Sequence, residues 1–330
     1  MEEENHNIVV DFCEKHEECF EKNPVLFIMF IRSLKSLDPS ENYSDTPLAN
    51  LDAFERQLKR FNIKVSGSDC DMVEKFFTTT ESAVLFPEFV RRCIKKGFDD
   101  SVLNNIVAVS TKCESNIYSG CVISDTTSYS TTAQGASLPT ASVTEPSSSV
   151  SLSKYGRMIT ASYEALRQQK LDVFGVMLKG VGIKLANSVL GSAVTALKAN
   201  ITPTAVSTLN YSALTSLFGS FDDFNMNCVM LSPENTATVL ALTQMENASA
   251  DEQGRVKLPF GAEIICTPKV DDATVIGLDK NFALEIITSS DIVLETDKLI
   301  SNQLDRIAVS VNCGFRRITD SAVKTLKIGS

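Results

Sequence analysis

Lys154-Tyr-Gly-Arg-Met-Ile-Thr-Ala-Ser-Tyr-Glu-Ala-Leu-Arg-Gln-Gln-Lys-Leu-Asp-Val-Phe174 runs without a proline into a long apolar stripe. The stripe is Leu171, Phe174, Leu178, Val181, Leu185 and Val189, spaced three and four apart as one face of an α-helix requires. The spacing predicts one long helix from about 164 to 198. Glycine inside a helix costs about 1 kcal/mol relative to alanine, yet Gly175, Gly180, Gly182 and Gly191 all fall in this one. Two accounts stand: close packing of the helix on a sheet, or a helix that bends between two states. Either makes it the spine of its domain.

Beyond the helix the chain alternates short helices and strands. Ser232-Pro233-Glu234 is an N-cap followed by proline at the first helical position, opening a helix to about Met245. Gly261–Cys266 and Ala273–Gly277 are short apolar strands, and Phe282, Leu284 and Ile286 alternate with less apolar neighbours. Ile307, Val309, Val311, Cys313 and Phe315 keep a period of two, marking a long half-buried strand.

Before the helix the composition changes. From Ser124 to Ser153, 16 of 30 residues are Ser or Thr, and only Asp125 and Glu145 are charged. Such a tract is either a flexible linker or, given its β-branched residues and prolines 139 and 146, an extended two-stranded arm. Residues 1 to about 110 are charge-rich and helical in period. Asn23-Pro24 opens an apolar segment that Asp38-Pro39 closes, and Leu51, Phe54, Leu58 and Phe61 form a second helical stripe. Val84–Val90 reads as a short apolar anchor around Pro87.

The 330 residues carry 31 Lys plus Arg against 41 Asp plus Glu, a net charge of −10. That argues against a chain whose main task is gripping nucleic-acid phosphate, which needs clustered cations. The opening Met1-Glu2-Glu3-Glu4 is acidic where a secretory signal is basic, and the longest uninterrupted apolar run is only Val25–Ile31. Nine cysteines without paired spacing suit a reducing compartment.

Catalytic templates fail in turn. There is no G-x-S-x-G elbow, and the only two histidines, His6 and His16, lie in the acidic N-terminus. Gly180-Val-Gly182 begins like a dinucleotide loop, but Leu185 occupies the third glycine position. Asp222-Asp223 and Asp271-Asp272 look like polar turns. His6, Cys13, His16 and Cys19 fall near one helical stripe and offer the N and S ligands that zinc prefers. A single helix closes a tetrahedron poorly, so the cluster otherwise reads as an apolar helix face.

Taken in order, these segments resemble a known family. Lys154–Phe174, leading into the long helix, resembles the E-loop exit and spine helix of tailed-bacteriophage major capsid proteins. Leu51-Asp-Ala-Phe-Glu-Arg-Gln-Leu-Lys-Arg60 and Ala83–Val90 look like the N-terminal arm of one branch of that family. Asn227–Asn235 and Leu258–Pro268 resemble its axial domain, and Asp305–Val311 with Ala322–Gly329 its closing peripheral-domain strands.

The resemblance implies an α+β capsid fold: an N-terminal arm at 1–112, an E-loop at 113–156, a peripheral domain at 157–211 and 281–330, and an axial domain at 212–280. It implies a virion protein, made in the host bacterial cytoplasm, that self-assembles as hexamers and pentamers of an icosahedral shell around DNA. Scaffold, portal and decoration proteins are the implied partners, with no membrane, cofactor or catalytic residue. In some members a protease removes an N-terminal scaffolding segment, here residues 1–80. The implied assembly residues are Ser137, Val143, Val150, Lys154, Arg157, Tyr163 and Arg167, with spine flexibility at Gly175, Gly180 and Gly182. The rival readings are an encapsulin-like nanocompartment shell and a cytoplasmic metal enzyme using His6, Cys13, His16 and Cys19.

Overall fold

The computed structural model describes residues 51–124, 131–138, 140–145, 149–246, 248, 250, 255–299 and 303–329. The His6/Cys13/His16/Cys19 cluster and the apolar segment 24–37 lie outside the described residues. Helices α1 (Ala53–Arg60) and α2 (Leu85–Asp99) come first. Strands β1 (Val109–Lys112), β2 (Ile117–Tyr118), β3 (Val122–Ser124), β4 (Ser142–Thr144), β5 (Val150–Ser151) and β6 (Ser153–Ser162) follow. Then come α3 (Tyr163–Arg167), the long α4 (Leu171–Lys198), β7 (Thr204–Val206), α5 (Tyr211–Gly219), β8 (Cys228–Leu231) and α6 (Pro233–Leu240). The chain closes with β9 (Glu263–Cys266), β10 (Thr274–Leu278), β11 (Leu284–Thr288), β12 (Val293–Leu299), β13 (Leu304–Arg317) and β14 (Val323–Ile328).

The chain forms two compact units, with α4 and β13 each divided between them. The first comprises the described residues up to Phe98, Arg157–Gly182 and Ile292–Val309. Asp52 caps α1 by accepting from the Glu55 amide at 2.9 Å, while the Glu55 carboxylate accepts from the Asp52 amide at 3.2 Å. The apolar Val84–Val90 segment is no short anchor: it opens the 15-residue α2, with Pro87 tolerated in the first turn, where its missing N–H has no helical partner to lose. Phe86 of α2 lies 5.7 Å from Phe76 and 6.1 Å from Phe174 of α4, ring centre to ring centre.

The expected helix from about 164 arrives in two pieces. Gln169 C=O accepts from the Val73 amide at 2.8 Å, and the Leu171 amide donates to Asp71 C=O at 2.9 Å. These bonds divert the backbone between α3 and α4, which the local sequence does not reveal. Within α4, the glycine question receives a position-by-position answer. A Cβ on Gly182 would stand 2.1 Å from the Ile94 carbonyl oxygen, and one on Gly97 of α2 would stand 2.0 Å from the Lys179 carbonyl oxygen. The two glycines therefore let backbone approach backbone at a helix–helix crossing, not at a sheet. Gly175 has room for a methyl, 3.5 Å from Cys93 Sγ, and Gly180 faces open space.

The second unit comprises Asp99–Gly156, Ile183–Asp291 and Ser310 onward. In one of its sheets β1 runs parallel to β11, and β11 pairs antiparallel with the end of β13, Glu285 opposite Arg316. A five-stranded sheet has the order β7-β14-β10-β8-β9. Leu214, Leu217, Val229, Val239, Val275 and Leu326 belong to the core between this sheet and α5 and α6. Ser232 caps α6 as expected, accepting from the Asn235 amide at 3.2 Å. The helix stops at Leu240, because Leu242 is extended, and only a 3₁₀ turn continues to Met245. Val323–Ile328, read in the sequence as a peripheral-domain strand, pairs with β10 and β7 and so belongs to this sheet.

Helix α4 is also the one described segment long and apolar enough, by composition, to cross a bilayer, with a stretch of mean hydropathy 1.4. Leu171, Phe174 and Leu178 in the first unit, and Leu185, Val189 and Leu197 in the second, are each buried in protein. Lys179 and Lys184 interrupt its middle. Val173, Val176 and Met177 on its other side are exposed, so α4 is buried along one stripe and bare along another.

Candidate assembly surface

The described parts of the Ser/Thr-rich tract pair with the residues before it as a two-stranded ribbon. Ile117 and Tyr118 pair antiparallel with Ser151 and Val150, and Val122–Ser124 pair with Thr144–Ser142. Its low charge has a physical use, since such a ribbon can be covered without desolvating ions. Ile123 stands directly opposite Val143, and the two are 69% and 68% exposed. Ile117 and Leu138 are likewise exposed apolar side chains. A thin ribbon with bare β-branched side chains and free edges is adhesive unless something covers it.

The ribbon is fastened at its base. Glu285 sits inside the apolar strand β11, 4% exposed, and its carboxylate gathers four donors. Thr111 Oγ1 donates at 2.5 Å and Tyr118 Oη at 3.2 Å, both to Oε1. Arg316 donates to Oε2 through Nε at 3.1 Å and lies 2.8 Å away through Nη2. Its remaining Nη1 donates to the Cys121 carbonyl oxygen of the ribbon at 3.1 Å. Burial first, and then the Glu285 charge, push the Tyr118 phenol above its ordinary pKa, which keeps it a donor. Two glycines make this approach feasible. A Cβ on Gly120 would lie 2.0 Å from Arg316 Nη1, and one on Gly314 would lie 2.7 Å from Val150 Cγ1.

The next residue does a different task because successive strand residues face opposite ways. Arg317 donates to the carbonyl oxygens of Leu197, at 3.1 Å, and of Ala199, satisfying acceptors that the end of α4 leaves open. Lys198 pairs with Asp271 at 2.8 Å, so that turn carboxylate has a structural partner.

The seven residues named from the sequence are thereby sorted. Ser137 and Val143 are exposed on the outer part of the ribbon. Val150 is half-buried at its base against Gly314, occupied within the subunit. Lys154 and Arg157 are exposed on β6. Tyr163 and Arg167 are half-buried together, the guanidinium 5.8 Å from the Tyr163 ring centre and 5.3 Å from that of Phe77. The sequence reading missed Glu285, Arg316, Gly120 and Gly314. A signal was present for the first pair, since a lone carboxylate interrupts Leu284-Glu-Ile-Ile287 and an arginine ends the alternating strand. Among the described residues no group of three or more His, Cys, Asp or Glu is placed to hold a metal.

Solved structures share the fold of this chain. The crystal structure of the virus-like particle from Pyrococcus furiosus superposes with a TM-score of 0.50 at 13% identity, over 73% of this chain and 98% of that one. The capsid of the empty GTA particle gives 0.52 at 15% identity, over 69% and 89%, and that of the native GTA particle 0.50 at 15%, over 71% and 91%. At such identities the likeness is one of fold. No curated protein matches the sequence. The family described as phage capsid protein matches residues 144–321, more than half of the chain, and the chain belongs to that family. It is a structural protein of a capsid shell, and its place is the virion.

Proposed function

We propose that this subunit assembles with copies of itself, as hexamers and pentamers, into a closed icosahedral head shell that encloses DNA without reading its sequence. The ribbon at 113–156 is the intersubunit arm, and the observation that carries the reading is the bare Ile123–Val143 pair on a nearly uncharged ribbon. The net charge of −10 fits a wall that must not hold its genome during packaging. The N-terminal arm is residues 1–112 and ends in β1, which adds to the β11–β13 sheet of the peripheral domain (157–211 and 281–330), and the axial domain is 212–280, around the other sheet. Strand pairing favours counting 204–206 and 323–328 with the axial domain. Gly175, Gly180 and Gly182 remain the candidate bend points of the spine. The role is structural rather than catalytic, with assembly in the host bacterial cytoplasm and scaffold, portal and decoration proteins as partners.

The test replaces Ile123 and Val143 together by lysine. Both side chains already face solvent, so the subunit stays folded by circular dichroism while closed shells disappear from electron micrographs. Normal shells from the double variant would refute the arm. Nucleic acid inside wild-type particles separates a head shell from an encapsulin-like compartment.

A further inference from the structure

We propose that Glu285 and Arg316 form a pin that sets the direction in which the arm leaves its sheet, and thereby the curvature at which shells close. The second half of this inference rests on the arm reading above; the first half does not. Three features of the base point to a pin rather than ordinary packing. The Arg316 guanidinium is shared between the Glu285 carboxylate on the sheet and the Cys121 carbonyl oxygen on the arm, so one side chain ties both. Tyr118 of the arm and Thr111 of β1 converge on the same carboxylate oxygen, Oε1. And the arm touches the sheet through glycine on each side, Gly120 beneath the guanidinium and Gly314 beneath Val150, where any side chain would displace the contact.

The geometry of the pair is set by the ladder. Glu285 and Arg316 are direct antiparallel partners, and Val109 of β1 is opposite Glu285 on the other side. Cross-strand partners share a face, so the carboxylate cannot turn from the arm without leaving its strand. A buried ion pair of this kind contributes little net stability compared with apolar packing, but it discriminates strongly between geometries. Breaking one side leaves a buried charge without its counter-charge, while a small rotation of the arm stretches both bonds that cross from arm to sheet, Tyr118 to Glu285 and Arg316 to Cys121. Among the described residues, the ribbon beyond Cys121 is held by its own strand pairing at Val122–Ser124.

Two variants of the full-length chain test this. Glu285→Gln removes the charge, and Gly120→Ala removes no polar group but drives the guanidinium off its seat. Amide hydrogen exchange on the unassembled subunit reads the pin directly, with the amide of Leu152, which donates to Asn116 C=O at 2.9 Å, as reporter. About tenfold faster exchange at residues 114–124 and 142–152 is expected in both variants, with β8, β10 and β14 unchanged. Electron micrographs of the same variants should show open or irregularly sized shells. Unchanged arm exchange in Gly120→Ala would overturn the pin whatever its shells look like. Faster exchange confined to the arm, together with normal shells, would keep the pin and refute the arm's part in closure. Uniformly faster exchange over the whole second unit in both variants would show the pair to be ordinary structural support, overturning the proposal.

Discussion

Two glycines two residues apart on one helix should respond in opposite ways to the same added methyl. Helix propensity alone assigns each glycine-to-alanine change a gain of about 1 kcal/mol. Gly180 should deliver that gain, because its Cβ would meet nothing within 4 Å. At Gly182 the new atom would stand 2.1 Å from the Ile94 carbonyl oxygen and 2.8 Å from the Phe98 amide nitrogen. Both are backbone atoms of another helix, so the crossing itself must open. Overpacking a close-packed interior costs about 1–3 kcal/mol, and the helix gain offsets only part of it. Gly180→Ala and Gly182→Ala should therefore differ by about 1–3 kcal/mol, the overpacking cost alone, with the wild type between them. For a chain of this size that separates their unfolding temperatures by about 2–4 °C. The assay is thermal unfolding of the full-length subunit, held below the concentration at which it assembles. If Gly182→Ala unfolds at or above the wild-type temperature, the crossing is not tight and the packing account of that glycine fails. The same pair tests bending. Gly180 has no packing reason to be glycine, so mature shells of normal shape from Gly180→Ala would remove the flexible-spine reading at that position.

Glu88 and the cysteines add two expectations. Burial alone would raise the Glu88 pKa, but hydrogen bonds and charge from Arg91, at 2.6 Å and 2.7 Å, and Arg92, at 2.9 Å, outweigh it and hold the carboxyl below its usual value. A depressed folded-state pKa contributes stability that is complete above the unfolded value and lost as pH falls through the folded one. The first unit should therefore weaken below about pH 4.5, and Glu88→Gln should destabilise it by about 1–3 kcal/mol at neutral pH while flattening that acid limb. Urea midpoints between pH 3 and pH 7 decide it, and an unflattened limb would remove Glu88 as its source. Burial pushes the Cys93 thiol up to about 11 and the Cys313 thiol up to about 12, whereas Cys121 and Cys266 are exposed. Iodoacetamide at pH 8 should label Cys121 and Cys266 before Cys93 and Cys313, read by peptide mass spectrometry, and early modification of Cys313 would contradict the core of β13.

What the sequence determined by itself was local and periodic. The 171–189 stripe specifies α4, the Ser-Pro-Glu signal specifies the start of α6, and odd-numbered residues from Ile307 to Phe315 specify one face of β13, because such patterns need only the chain's own geometry. The order of these segments was also enough for the family. The Ser/Thr tract was ambiguous on composition because Thr and Ser serve linker and strand alike, and long-range pairing of 117–124 with 142–151 resolved it. Tertiary structure alone decided where α4 begins, since residues 71–73 pull the backbone aside at 169–171. It alone separated Gly182 from Gly180, because the atom that fills the space belongs to a helix some 90 residues away in sequence. And it alone built the base of the arm, gathering Thr111, Tyr118, Glu285 and Arg316 from four strands. No periodicity records such a meeting, because a buried charge owes its place to partners that only the fold supplies.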